Sequence, residues 1–477
     1  MDMKSQPSPQ AEALQREVAD CVARARAAQR KFEAFNQERV DDAVLAVGWA
    51  IMEPSRNRAL AERAVADTGL GNVEDKVVKN HRKTLGLLRD LRGVRSVGVI
   101  REDSAKGVIE VARPVGVVGA VTPSTNPAAT PANNIINALK GRNAIILSPS
   151  PKGYSSSTLL LQYIAEELRR VGAPVDLVQQ LPSPVSKAAT LELMRQVDLV
   201  VVTGSQNNVR AAYECGTPAI GVGLGNASVI IDETADLAAA ANKIRRSKTF
   251  DNATSCSSEN SVVIVDAVYP AMLAALQAEG GVLLDGAQKQ RLQQTMWPAG
   301  KLSPAVTARA APVIAGLAGL QGAAFEQARF LMVEEEGVGT DHPFSGEKLS
   351  PVLTIYRARD FEHALQVVRD IYGYEGAGHS IGLHSQRTER AMRIGLELPT
   401  CRVIVNQAHC FATGGSFDNG LPFSLSMGCG TWGGNSISDN LNYKHFLNIT
   451  RIAFPCVPSE PSPDEIFGDY RKRHGLS

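Results

Sequence analysis

In the stretch KTFDNATSCSSENSVVIVD, Lys248 to Asp266, one cysteine, Cys256, stands in a run of small hydroxyl and amide side chains with nothing bulky beside it. A thiol acts as a nucleophile through its thiolate, so its surroundings decide whether it reacts. Residue type alone also allows an inert role, because a free cysteine in a folded chain is most often a small buried hydrophobe. The seven cysteines, Cys21, Cys215, Cys256, Cys401, Cys410, Cys429 and Cys456, are odd in number and scattered, with no CxxC pair and no Cys/His group at zinc spacing. That pattern predicts free thiols in a reducing compartment and no metal site. Gly428, Gly430 and Gly433 in GCGTWGG match the dinucleotide pattern GxGxxG, but no strand leads in, no helical run follows and no acid lies about 20 residues on.

The elements that must position Cys256 alternate regularly. NAIILS reads as a buried strand, SSTLLLQYIAEELRRVG as a helix ending at Gly172, DLVQQL as a second strand, and DLVVVTG and PAIGVG continue the series with helices between them. Strands alternating with helices of 10 to 15 residues make a parallel, doubly wound sheet, which binds ligands at the carboxyl ends of its strands. A second α/β series follows Val229: ADLAAAANKIRRSKTF as a helix with Thr234 placed to cap it, then SVVIVD as a strand, and later PVLTIYRARDFEHALQVVRDIYG. Before both, residues 11–52 have apolar positions at helical spacing, and GVIEVARPVGVVGAVT reads as short strands.

At 477 residues the chain exceeds what one core supports, so two large domains are expected. Fifty basic against forty-nine acidic residues give a net charge of +1, which supplies no field for nucleic acid or an anionic membrane. The N-terminus lacks the apolar core of a signal peptide, and no apolar run of about 18 residues occurs, so the expectation is a cytoplasmic protein.

TPSTNPAATP, NAIILSPSPKG, VTGSQNNVRAAYECGTPAIGVGLGNASVIID, SKTFDNATSC, EKLSPVL and GCGTWGGNSIS resemble, in order, segments of the CoA-acylating aldehyde dehydrogenases, over roughly Val94 to Leu447. The resemblance implies an α/β fold with a doubly wound nucleotide domain (1–228, with 94–118 contributing to an arm), an α/β catalytic domain (229–424), and a C-terminal segment completing a β-rich oligomerisation arm (425–477). A homodimer or homotetramer follows from such an arm. It puts the nucleophile at Cys256, with Ser255 and Ser257 as small neighbours and backbone N–H groups beside it as oxyanion donors. Asn126 in STNP falls where the family's second oxyanion donor sits, and Glu347 in GEKLSP where the nicotinamide ribose is held. Ser148, Pro149, Pro151 and Lys152, with Gly204 and Ser205, follow strands at positions for adenosine ribose and pyrophosphate. Pro151 and Lys152 stand where hydrolytic members often carry an acid, which leans the cofactor from NAD to NADP. His379 in GAGHSIGLHS matches a histidine that could assist the CoA thiol, and His409 lies in a stretch bordering the family's substrate pocket.

In the hydrolytic branch a glutamate in an ELGGK-like motif activates water. Here the matching VGLGN has Val222, so the acyl group on Cys256 is expected to pass to CoA, a thiol, instead of to water. The alternatives are an enzyme releasing the free acid, or an acylating enzyme for acetaldehyde, propanal or succinate semialdehyde. FDNATSCSSENS and NQAHCFATGGSFDNG resemble the acylating enzymes of sulfoacetaldehyde more than the acetaldehyde enzymes fused to alcohol dehydrogenases. That leans the substrate towards sulfoacetaldehyde, with Ser255, Ser257, Asn252 and His409 as candidate donors to its sulfonate.

Overall fold

A computed structural model describes residues 8–476. Four helices open the chain: α1 (Pro9–Glu33), α2 (Gln37–Met52), α3 (Pro54–Thr68) and α4 (Val73–Leu91). Each begins on a side chain that accepts from the first turn, Ser8, Asn36, Glu53 and Asn72 in order, which satisfies a donor the helix itself cannot. After β1 (Gly98–Asp103) and β2 (Val108–Pro114) come β3 (Val117–Thr122), α5 (Ala129–Lys140), β4 (Ala144–Pro149), α6 (Tyr154–Arg170), β5 (Val178–Gln180), α7 (Lys187–Gln196), β6 (Leu199–Thr203), α8 (Gln206–Glu214) and β7 (Ala219–Val222).

Strands β3 to β7 form one parallel sheet in the order β5-β4-β3-β6-β7. Every residue of β3 and β4 is buried, as the unbroken apolar runs require of strands covered on both faces. The chain runs outward from β3 to β5 on one side and from β6 to β7 on the other. A crevice therefore opens beyond the carboxyl ends of β3 and β6, where Thr122-Pro123 and Thr203-Gly204 lie.

The second sheet is also parallel, with seven strands: β8 (Ser228–Ile231), β9 (Ser261–Val265), β10 (Gly281–Leu283), β11 (Phe330–Glu334), β12 (Val352–Ala358), β13 (Ile381–His384) and β14 (Val403–Val405), ordered β10-β11-β12-β9-β8-β13-β14. Helix α9 (Leu237–Thr249) precedes β9, and Cys256 lies in the link between them. The expected cap of α9 is corrected: Asp236 accepts from the Ala239 N–H, while the Thr234 hydroxyl donates to Asp232. An aspartate directly before the helix reaches its first free N–H groups, and Thr234 is too far upstream.

The third sheet joins distant segments. β2 pairs antiparallel with β1 on one side and with β15 (Leu447–Ala453) on the other, from Leu447 opposite Pro114 to Ala453 opposite Val108. The returning chain also enters the first core through Phe423, Leu441 and Phe446. Asn143, fully buried, fixes this return. Its Oδ1 accepts from the N–H groups of Val115 (2.7 Å) and Gly116 (3.0 Å), and its Nδ2 donates to the carbonyls of Ala138 (3.0 Å) and Phe446 (2.8 Å). Asn143→Ala removes four hydrogen bonds, leaving the half-buried Val115 and Gly116 N–H groups and the Phe446 carbonyl short of a partner, and should cost about 2–4 kcal/mol. A thermal midpoint unchanged from wild type would show that Asn143 does not fix the C-terminal return.

Candidate active site

Three residues before Cys256 carry the local geometry. Asp251, Asn252 and Ala253 all have positive φ (50°, 50° and 60°), a conformation that non-glycine residues adopt only under constraint. The constraint is the Asp251 carboxylate, fully buried, which both Lys76 (3.0 Å) and Lys79 of α4 reach, together with the Asn72 N–H (2.9 Å) and the Thr254 hydroxyl (2.8 Å). Burial opposes its charge, but the two ammonium groups hold the carboxyl below its ordinary range. Gly71 is required here: a Cβ on it would lie 1.8 Å from Asp251 Oδ1. Gly225 is required on the other side, where a Cβ would come within 2.2 Å of the Cys256 carbonyl oxygen.

Lys79 also donates to Asn126 Oδ1 (2.8 Å). An ammonium cannot accept, so this bond fixes the amide with Nδ2 as the donor end, one N–H reaching Thr125 Oγ1 (3.5 Å) and the other left over, and Asn126 lines the same cavity as Cys256. That cavity, about 490 Å³, is walled by Asn126, Gly204, Ser205, Val222, Ser255, Cys256, Ser257 and Glu347 among others. Through Pro123, Thr203, Gly204 and Ser205 it adjoins a cleft of about 540 Å³ whose wall includes Ser148, Pro149, Pro151, Ser186, Lys187 and Thr190. The crevice of the first sheet thus runs on to the cysteine, and Gly204, Ser205 and Ser148 sit at its strand ends.

Burial pushes the Cys256 thiol up to about 12, with further repulsion from Glu347 and Cys429 and a small opposing pull from Arg402. Burial, and then Glu375, push Glu347 well above the carboxylate range. One of its oxygens, Oε1, is buried with no hydrogen-bond partner, an acceptor available to hydroxyl donors such as a ribose diol.

Four of the expected site residues lie away from the walls of the two cavities. His409 is buried and walls neither cavity; its Nδ1 donates to the Ser257 carbonyl (2.7 Å), and burial lowers it to about 4, so the ring is a neutral brace beneath the cysteine loop. His379 is buried against Ser380 (Nδ1 to Oγ, 2.7 Å) and held well below its ordinary range by burial and Arg402, outside both cavities. The left-handed turn swings Asn252 away from the cavity, and its amide donates to the Gly71 carbonyl (3.3 Å). Lys152 is exposed at the surface beyond Pro151, and Lys187 is the lysine on the cleft wall. Cys410, beside His409 in the stretch expected to border the pocket, does line the main wall, while sequence reading missed Lys83 and Leu425, which come from a helix and a loop far from Cys256 that no motif marks.

Over residues 8–311 the chain matches the aldehyde dehydrogenase family. It belongs to that family, in its acylating branch, and is an oxidoreductase of the kind that uses NAD(P)⁺ and CoA. It is 64% identical over 471 residues to the acylating sulfoacetaldehyde dehydrogenase of Cupriavidus necator, covering 99% of this chain and 96% of that one. It is 43% identical over 458 residues to a sulfoacetaldehyde dehydrogenase of an Acholeplasma species, covering 95% and 94% of the two chains. The acetylating aldehyde dehydrogenase of Geobacillus thermoglucosidasius superposes with a TM-score of 0.90 at 35% identity, covering 96% of this chain and all of that one. Among the described residues no helix is long and apolar enough to cross a membrane.

A thiol raised this far is almost wholly protonated near neutrality in the ligand-free protein. Iodoacetamide labelling of the Cys256 peptide, followed by mass spectrometry, should therefore rise about tenfold per pH unit from pH 7 to 10. A plateau below pH 8.5 would contradict the buried, protonated thiol.

Proposed function

We propose that this protein oxidises sulfoacetaldehyde to sulfoacetyl-CoA, with NADP⁺ or NAD⁺ as oxidant, through a thioester on Cys256. The observation that carries the acylating outcome is Val222: an apolar side chain walls the cavity where a hydrolytic enzyme would present a base, and Glu347 is the one carboxylate on that wall. The likeness in sequence to sulfoacetaldehyde dehydrogenases over nearly the whole chain supports the substrate.

The Cys256 thiol gives up its proton, which leaves to solvent as the one proton the overall oxidation releases, and the thiolate adds to the aldehyde carbon. The oxygen that becomes negative is met by Asn126 Nδ2, turned outward by Lys79, and by backbone N–H groups of the cysteine loop; a preorganised donor of this type contributes about 10² to 10³ in rate. Glu347 would hold the nicotinamide ribose, and Ser148, Gly204, Ser205 and Lys187 would hold the adenosine and phosphate end. Among the described residues no carboxylate stands on the cleft wall, so a 2′-phosphate meets no repulsion there, and the lean is towards NADP⁺ over NAD⁺. When bound, the nicotinamide supplies the hydride acceptor. The thioester left on Cys256 then faces a cavity whose wall offers water no base at Val222, and general-base help is worth typically about 10² to 10⁴. The CoA thiol accepts the acyl group and the cysteine is released.

Reduced cofactor formation should depend on CoA, by about 100-fold or more in steady state, and Cys256→Ala should abolish it in both directions. Equal rates with and without CoA, or turnover in Cys256→Ala within tenfold of wild type, would refute the mechanism.

We further infer that the β1-β2-β15 sheet is an arm between subunits, as the exposed Ile452 and Phe454 at its outer strand suggest. Light scattering at micromolar concentration should give a dimer or tetramer, and a monomer would overturn the arm.

A further inference from the structure

Beside Cys256 the main cavity has a blind side pocket of about 30 Å³ that none of the steps above uses. Lys83, Asn126, Ser255 and Cys410 wall both spaces, so the pocket opens where the reacting carbon must lie. Arg82, Phe250 and Phe411 close its far side.

Two cations there lack the partners their neighbours have. Lys76 and Lys79 share Asp251, and Arg89 pairs with Asp90, but Arg82 and Lys83 have no carboxylate within salt-bridge distance among the described residues. The Lys83 ammonium donates only to the Gly414 carbonyl (2.7 Å), which leaves two of its three N–H groups free. Arg82 donates to Ser416 Oγ (2.7 Å), its Nε is buried without a partner, and Asp418 reaches Ser416 and not the guanidinium. Three phenyl rings, Phe411, Phe417 and Phe423, stand 5.1 to 5.8 Å from the guanidinium carbon. Lys83 is buried and Arg82 half-buried, and a buried cation without a carboxylate partner is costly, so Lys83 in particular is a charge that an anion would complete.

We propose that Lys83 and Arg82 form the subsite for the anionic end of the aldehyde, holding its sulfonate while the carbonyl carbon lies at Cys256. This rests on the sulfoacetaldehyde reading and assigns it residues. A sulfonate is permanently ionised and offers three acceptor oxygens, which match the free N–H groups of Lys83, the Arg82 fork and the Ser255 hydroxyl. One methylene separates it from the carbonyl, so its subsite must share walls with the nucleophile's cavity, as Lys83 and Ser255 do. Burial and the Arg82 charge lower Lys83 to about 7, and a bound anion would restore its proton.

The test compares kcat/KM for sulfoacetaldehyde and propanal, with CoA and NADP⁺ saturating, in wild type, Lys83→Met, Lys83→Arg and Arg82→Gln, and measures inhibition of propanal oxidation by sulfoacetate. Lys83→Met should lose at least about 30-fold more on sulfoacetaldehyde than on propanal, mainly through KM. Sulfoacetate inhibition should weaken in parallel, and Lys83→Arg should recover part of both. Equal losses on the two aldehydes, or unweakened sulfoacetate inhibition, would overturn the subsite while leaving the substrate reading intact. A wild-type preference for propanal would overturn both. If Lys83→Met does not fold, the same criteria applied to Arg82→Gln decide.

Discussion

A single carboxylate, that of Asp251, ties the nucleophile to the rest of the molecule. It is wholly buried, and it persists charged because two ammonium groups, a backbone N–H and a hydroxyl surround it. Removing one partner of such a group typically costs about 3–5 kcal/mol, because the remaining charge has no water to turn to. That energy holds three consecutive residues left-handed against their own preference, on the order of 1 kcal/mol each, and so sets where Cys256 points. The same Lys79 turns Asn126. The proposed nucleophile and oxyanion donor are therefore positioned by one ion cluster that bridges α4, the loop after β3 and the loop before β9.

The site joins two chemistries of burial. Low polarity around Cys256 keeps its thiol protonated in the ligand-free protein, which protects it from oxidants and stray electrophiles. The same low polarity strengthens whatever dipoles meet the oxyanion once it forms. Val222 extends this apolar wall, so the thioester is shielded from assisted hydrolysis by the absence of a side chain that could polarise water. Acyl transfer to a thiol then wins because a thiol needs less help than water does.

The parallel sheets were legible because their strands are buried on both faces and read as unbroken apolar runs between helices of regular length, and the order of segments singled out Cys256, which lines the main cavity. What failed was local inference about polar neighbours. Asn252 and His409 are close to the nucleophile in sequence or in the family's pocket, yet a left-handed turn rotates the first towards Gly71, and the second braces the Ser257 carbonyl from behind. Thr234 lost the cap of α9 to Asp236 for the same kind of reason, since capping depends on offset and Thr234 lies two residues too far upstream. The sequence marks no chemistry in α4. In VEDKVVKNHRKTLGLLRD the charges look like a solvated face, and nothing in the stretch tells which lysines turn inward.

Lys76, Lys79 and Lys83 recur at i, i+3 and i+7, which is one face of a helix, and that face is buried against the cysteine loop. Lys76 and Lys79 are matched by Asp251; Lys83 is not. Burial and its cationic neighbours lower Lys76 to about 8 and Lys83 to about 7, below the value of about 10.4 in an unfolded chain. Between those limits the unfolded chain binds more protons than the folded one, so these two groups make the fold more stable as pH rises through that window, and least stable below it. At Lys83 the groups that set this balance are Arg82 and Lys79, which repel its proton, and the thiols of Cys410 and Cys256, which favour it only when ionised. None of the four neutralises it near pH 7. The helix that orders the nucleophile thus carries, one turn further on, a charge the protein leaves uncompensated, and an anionic substrate is the species whose binding removes that penalty.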